Sequence, residues 1–99
     1  MNEEVLKAIN NFLRDNDCQT YYFPSELHCE SVIIVRHPWS ATIGLRRDDP
    51  NIIWISTLYK NQRTFEFNLA DPNSFTDLLA VVKRVGETND HNLQTSTPP

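Results

Sequence analysis

The segment from residue 31 to residue 69 decides the fold, and it reads SVIIVRHPWS ATIGLRRDDP NIIWISTLYK NQRTFEFNL. It holds short runs rich in valine, isoleucine, threonine and aromatic residues, the types that favour β-strands. The runs are Ser31–Arg36, Ala41–Arg47, Ile52–Tyr59 and Thr64–Leu69. The breaks between them are too short for a crossover connection, so they predict a four-stranded antiparallel meander.

Amphipathic helices are predicted on both sides of these strands. Apolar residues recur at helical spacing between Val5 and Leu13, which predicts a helix over residues 3–14. Asp71 is the predicted N-cap of a second helix, Pro72 its first residue and Gly86 its end. The apolar stripe of that helix is Phe75, Leu78, Leu79, Val82 and Val85. The expected architecture is αββββα, a single α+β domain over residues 1–86 with both helices packed on one face of the sheet.

Two segments lie outside this pattern. Residues 19–23 are β-prone, but Pro24 follows at once, so both an edge strand and a tucked loop are open interpretations. Residues 87–99 are polar, with Leu93 as their single large apolar residue, and they end in two prolines. They are predicted to form a flexible tail.

The composition describes a small acidic protein. The chain has 99 residues and a net charge of -4, which leaves room for one domain. Residues 31–70 carry five basic and three acidic side chains, residues 1–30 carry two and six, and residues 71–99 carry two and four. These acidic flanks argue against a general polyanion binder, because counterion release requires several uncompensated basic residues on one surface.

The amino terminus and the cysteines indicate the compartment. Residues 1–4 are acidic and lack the features of a signal peptide, and the longest aliphatic runs are too short to span a membrane. The two cysteines, Cys18 and Cys29, are too few for a disulfide scaffold. We therefore expect a cytoplasmic protein with no membrane association.

The number of residues in each hairpin loop determines which face of the sheet a side chain occupies. Four-residue loops at 37–40, 48–51 and 60–63 turn Trp54 toward the helices and Ile55 away from them. The predicted helix-facing set is Val32, Ile34, Ala41, Ile43, Leu45, Ile52, Trp54, Leu58, Phe65, Phe67 and Leu69, with Ser56 as its one polar member.

The same register leaves an apolar strip on the opposite face. It consists of Ile33, Val35, Ile53, Ile55 and Tyr59. Gly44 lies between two of these residues and forms a shallow furrow, which a backbone or ring of another molecule can approach, with Arg46 diagonal to it. An open strip of roughly 500 Å² is the size of patch that often serves as a binding surface.

The strip favours a non-enzymatic protein-interaction module, such as a small adaptor, a chaperone-like factor or an inhibitor. We expect it to bind through the sheet face or an edge, as a homodimer or to a foreign protein. The predicted protein-binding residues are Ile33, Val35, Gly44, Arg46, Ile53, Ile55 and Tyr59, together with Trp39 as an interface anchor or a lid over the core. In the competing interpretation, residues 15–30 fold across the strip and bury it.

The alternative function is weak binding of single-stranded nucleic acid by a rim of basic and aromatic residues. Its residues are Arg36, Arg46, Arg47, Lys60, Arg63, Trp39 and Tyr59.

Metal binding and catalysis have little support in the sequence. The candidate ligands Cys18, His28, Cys29 and His37 lack the paired short spacings of a zinc site. No two carboxylates are placed for acid–base chemistry, and Gly44 and Gly86 fall in no glycine-rich phosphate loop. We therefore expect no metal, no cofactor and no enzymatic activity.

Overall fold

The computed structural model describes residues 2–25, 30–37, 40–57 and 63–83, which form a five-stranded antiparallel sheet and two helices. Helix α1 spans Asn2–Asp15, and helix α2 covers residues 74–83. The strands are β1 (Gln19–Phe23), β2 (Val32–His37), β3 (Ala41–Leu45), β4 (Ile52–Thr57) and β5 (Arg63–Asn68). They lie side by side in chain order, so the antiparallel meander is confirmed and the predicted count of four strands is wrong.

The additional strand is β1, which forms one edge of the sheet. Tyr21 pairs with Ile34 of β2, and Tyr22 pairs with Ile33. Because β1 pairs with β2, β2 has a neighbouring strand on each side. Its backbone N–H and C=O groups on the β1 side therefore have hydrogen-bond partners, which an edge strand would lack. The strand ends before Pro24, which has no N–H to donate to a ladder. Residues 19–23 therefore extend the sheet and do not fold across its face.

Helix α1 ends in a tight turn that leads directly into β1. The backbone amides of Asn16 and Cys18 both donate to the carbonyl oxygen of Leu13, each at 3.0 Å. Asp17 has a φ of 71°, the left-handed conformation that aspartate adopts more readily than most residues. The turn reverses the chain, and α1 consequently packs most extensively on β1.

The start of helix α2 has the predicted cap. The carboxylate of Asp71 accepts a hydrogen bond from the amide of Asn73 at 2.9 Å, and its carbonyl oxygen accepts one from the amide of Ser74 at 3.0 Å. A side-chain oxygen bonded to the amide two residues later is N-cap geometry. The hydrogen bonds predicted for Asp71 are therefore present, but Pro72 lies in the turn before the helix and not at its first position, which is Ser74. Val85, the predicted stop at Gly86 and the tail at 87–99 lie outside the described residues.

Both helices contribute to one core on a single face of the sheet, as predicted. Leu6, Ile9 and Leu13 of α1 and Leu78 and Val82 of α2 are buried with side chains from the three central strands. Residues of the two helices also contact each other, since the rings of Phe12 and Phe75 have centroids 5.6 Å apart. We call the sheet face that carries this core the inner face and the opposite one the outer face.

The faces of β3 and β5 were predicted correctly, and those of β2 and β4 are inverted. The β3 residues Ala41, Ile43 and Leu45 are buried in the core, and Phe65 and Phe67 of β5 pack against it. In β2 and β4, however, the buried residues are Ile33, Val35, Ile53 and Ile55. Thr57, two positions after Ile55 in β4, is also buried. Trp54 and Ser56 alternate with these residues and belong to the outer face.

The inversion arises from the registers of the hairpins. Val35 pairs with Ala41, Leu45 with Ile53, and Thr57 with Arg63. The connections 36–40, 46–52 and 58–62 between these pairs each contain an odd number of residues, whereas the prediction assumed even loops. A change of one residue in register moves a whole strand's side chains to the opposite face.

Candidate functional site

Four of the predicted protein-binding residues lie in the core. Ile33, Val35, Ile53 and Ile55 each have 0% of their surface exposed. The prediction that they form an open strip is therefore wrong, because a partner cannot contact side chains that α1, α2 and the inner face enclose. Tyr59, Trp39 and Leu58 lie outside the described residues.

A different set of apolar side chains occupies the outer face. We call Val32, Ile34, Ile52 and Trp54 the outer patch; all four are partly exposed. On the same face, Tyr21 and Phe23 of β1 flank the patch, with 41% and 52% of their surface exposed. Because Tyr21 pairs with Ile34 and Phe23 with Val32, the exposed aromatic rings are contiguous with the patch.

Trp54 lies over Gly44, its pairing partner in β3. A Cβ atom built on Gly44 would lie 2.5 Å from Cζ2 of the indole, so a residue with a side chain would displace the ring. The indole N–H donates to the carbonyl oxygen of Leu45 at 3.2 Å. The furrow predicted at Gly44 is therefore filled by the indole of Trp54. The outer face has the surface of this ring at that position and no depression for another molecule.

Arg46 borders the outer patch at the end of β3 and is held by two carboxylates. Its Nε donates to Oδ1 of Asp48 at 2.9 Å, and Nη1 donates to Glu66 at 3.4 Å. The hydrogen bond from Arg46 lowers the pKa of Asp48, and the same bond raises the pKa of Arg46. The guanidinium is thus positioned and partly neutralised, and the charges on this side of the patch are close to balanced.

The residues of the predicted nucleic-acid rim are divided between the two ends of the sheet. Arg36 and Arg63 lie at the end where β2 leads into β3 and β5 begins, whereas Arg46 and Arg47 follow the opposite end of β3. Arg47 is paired with Glu30 at 2.5 Å. Lys60 lies outside the described residues. The described arginines therefore form no continuous basic track, and those at the Arg46 end are already paired with carboxylates.

An open cleft of about 790 Å³ lies beside the amino-terminal part of α1. It is lined by Glu3, Glu4, Leu6, Lys7, Ser25, Glu30, Ser31, Leu45, Arg46 and Arg47. Glu30 is bound to Arg47, and Glu3 accepts a hydrogen bond from the hydroxyl of Ser25 at 3.0 Å. Glu3 and Glu30, two of the carboxylates that line the cleft, therefore already have hydrogen-bond partners. These contacts provide no pair of groups arranged for acid–base catalysis.

The described part of the chain contains no cluster of three or more histidine, cysteine, aspartate and glutamate side chains that could hold a metal ion. Of the four candidate ligands, His28 and Cys29 lie outside it, and the side chain of His37 does too. Cys18 is a buried free thiol whose Sγ lies 3.9 Å from the carbonyl oxygen of Asn16. Burial raises the pKa of this thiol and so disfavours the reactive thiolate.

Sequence reasoning missed the outer patch, although one signal pointed to it. A glycine inside a strand often marks a close approach by another group, and Gly44 lies in a strand whose neighbours are large and apolar. The sequence alone favours a partner molecule as the approaching group. The register that places Trp54 opposite Gly44 explains the glycine within the protein itself.

Neither helix in the described ranges combines the length and the hydrophobicity required to cross a membrane. The chain matches no family model, no curated protein and no solved structure.

Proposed function

We propose that this protein is a non-enzymatic protein-interaction module that associates with a second copy of itself through the outer patch. The observation that carries the proposal is the apolar character of the outer face: Val32, Ile34, Ile52 and Trp54 are partly exposed there, and no helix of the described chain packs on them. The outer face of a second copy is the simplest surface that complements this apolar patch.

The size of the outer face supports a dimer of modest stability. The four strands β1–β4, which carry or span the patch and its flanking rings, are spaced about 4.8 Å apart and are each roughly 17 Å long, which gives a footprint of about 330 Å². A standard stable interface buries about 800 Å² of accessible surface on each partner, roughly twice this footprint or more, so the face supports a weak, transient dimer. A centrally placed tryptophan is typical of the residues that dominate binding energy.

The charges on the outer face favour the same conclusion. Arg46 is balanced by Asp48 and Glu66, so two copies that meet through this face do not bring together large charges of one sign. In a two-fold arrangement, an arginine and a glutamate on the same face are able to pair across the interface. Such pairing contributes to orientation more than to affinity.

Sedimentation velocity over a range of protein concentrations tests the proposal. We expect a monomer–dimer equilibrium in the natural sequence and a monomer at every concentration for Ile34→Glu, because the substitution places a charge within the patch. The matched control is Thr64→Glu, which adds the same charge to the same face in edge strand β5 and is expected to leave association within about threefold of the natural sequence.

Equal association by the natural sequence and Ile34→Glu would contradict the proposal, as would a chain that is monomeric at all concentrations. Far-ultraviolet circular dichroism of each variant confirms that a loss of mass does not result from unfolding.

A further inference from the structure

The edge strand β1 differs from the other edge of the sheet in its chemistry. Edge strands carry backbone groups without a neighbouring strand, and charged residues commonly protect them from additional pairing. Strand β5 contains Arg63 and Glu66, whereas β1 reads QTYYF and contains no charged residue. The two large apolar side chains that are most exposed in the described chain, Tyr21 and Phe23, both belong to β1.

Helix α1 lines the other side of β1 with a polar stripe. Lys7 has its Nζ 5.9 Å from the centroid of the Tyr22 ring, and Asn10 accepts a hydrogen bond from the Thr20 hydroxyl at 2.5 Å. Arg14 donates to the carbonyl oxygen of Thr20 at 2.7 Å, so this backbone acceptor of β1 is already occupied. Two cations therefore flank the middle of the edge strand on its inner side, and no carboxylate of the described residues forms an ion pair with either of them.

From this arrangement we infer that the edge of β1 at residues 21–23 binds an extended segment of a partner protein in which apolar side chains alternate with acidic ones. Main-chain hydrogen bonds to the edge supply affinity in this mode of recognition, and alternate side chains supply specificity. The apolar side chains of the segment lie beside Tyr21 and Phe23 on the outer face. Its acidic side chains lie on the inner side, near Lys7 and Arg14.

The charges on α1 argue for a foreign segment at this edge and against a second copy. Two β1 strands paired about a two-fold axis at Tyr21 place Thr20 opposite Tyr22 of the second copy. Arg14, which contacts Thr20, then faces Lys7, which contacts Tyr22, and the repulsion occurs twice. The inference rests on the proposed function, since it gives the interaction module a second partner, and it uses a different part of the sheet from the outer patch.

A synthetic peptide tests the inference. The probe is a fluorescein-labelled peptide of alternating valine and glutamate, and its binding is followed by anisotropy at low salt, where exposed charges are least screened. We expect measurable binding, no binding of the valine–lysine counterpart, and weaker binding of a probe whose central valine is N-methylated, because the methyl group removes a ladder donor.

Charge-reversed variants locate the site of binding. Lys7→Glu is expected to weaken binding of the valine–glutamate peptide about three- to tenfold, because it replaces an attraction between exposed charges with a repulsion. Arg63→Glu reverses a charge at the opposite edge and is expected to leave binding unchanged. Amide hydrogen exchange should slow in Gln19–Phe23 when the peptide is added.

Three results would overturn the inference: no binding of the valine–glutamate peptide, equal binding of the valine–lysine peptide, or slowed exchange in Arg63–Asn68 instead of β1. Slowed exchange in β1 of the concentrated protein without peptide would also overturn it, since a second copy would then occupy the edge. Repeating the titration with Ile34→Glu separates this test from the proposed dimer, because peptide binding at β1 is expected to persist in that variant.

Discussion

Ile34 and Ile55 are the same residue type in opposite environments, and a charge at each position should have different effects. Ile55 is fully buried on the inner face, whereas Ile34 is partly exposed on the outer face. An uncompensated charge in a core costs about 3–5 kcal/mol, a large fraction of the stability of a small domain. We therefore expect Ile55→Glu to be largely unfolded and Ile34→Glu to stay folded within about 1 kcal/mol of the natural sequence.

Circular dichroism and urea denaturation of the two variants measure this difference. The opposite result, a folded Ile55→Glu protein and an unfolded Ile34→Glu protein, would restore the face assignment that the sequence alone favoured.

Gly44 is required by the position of Trp54, and the effect of adding one methyl group is measurable. Gly44→Ala places a carbon where the indole ring lies and disturbs the hydrogen bond from Trp54 to Leu45. Overpacking of this kind typically costs about 1–3 kcal/mol, and we expect a loss near the lower end because an outer-face ring is able to move. Tryptophan emission should shift to longer wavelength as the indole becomes more exposed.

The matched control for this substitution is Thr42→Ala, which removes a side chain from the same strand and the same face. Unchanged emission and stability in Gly44→Ala would show that the indole does not rest on Gly44.

At the scale of elements, the helices were predictable because their signals are local. The spacing of apolar residues identified α1, and Asp71 followed by Pro72 identified the start of α2. The faces of β3 and β5 were also predictable, since Thr42 and Glu66 mark the solvent side of each strand. Alternation between apolar and polar residues is sufficient to assign the two faces of a strand wherever only the odd-numbered or only the even-numbered positions are apolar.

The faces of β2 and β4 were not predictable from alternation, because both parities of these strands are apolar. Val32 and Ile34 are as compatible with a core as Ile33 and Val35, so the choice depends on the length of the hairpin connections. The face that Trp54 occupies depends on a contact between strands, because its indole N–H donates to the carbonyl oxygen of Leu45, next to Gly44. Of the predicted binding residues, Arg46 borders the outer patch, Gly44 lies beneath the Trp54 ring, and the four aliphatic residues belong to the core.

The cap of α2 supports a prediction at the same scale. Asp71→Ala removes the acceptor for the Asn73 amide and should lower the free energy of unfolding by about 1 kcal/mol, the usual cost of losing an N-cap. Asp71→Asn keeps an acceptor oxygen and should retain most of that stability. Urea denaturation compares the two variants, and an equal loss in both would indicate that the side-chain hydrogen bond does not stabilise the helix.

At the scale of the whole molecule, the sheet divides the described chain into two environments. The inner face packs against both helices, and the outer face combines the outer patch with Arg46, Glu66 and a row of small polar residues. The two edges differ as well, because β1 is uncharged and β5 carries charges of both signs. This asymmetry allows one small domain to offer a face to a second copy and an edge to an extended segment.

Hydroxyl-radical footprinting at low and high protein concentration tests the claim that the outer face meets a second copy most directly. We expect oxidation of Trp54 and Ile34 to fall as the concentration rises, while the rate at the buried Ile55 stays low and constant. Equal oxidation of Trp54 and Ile34 at both concentrations would contradict the claim.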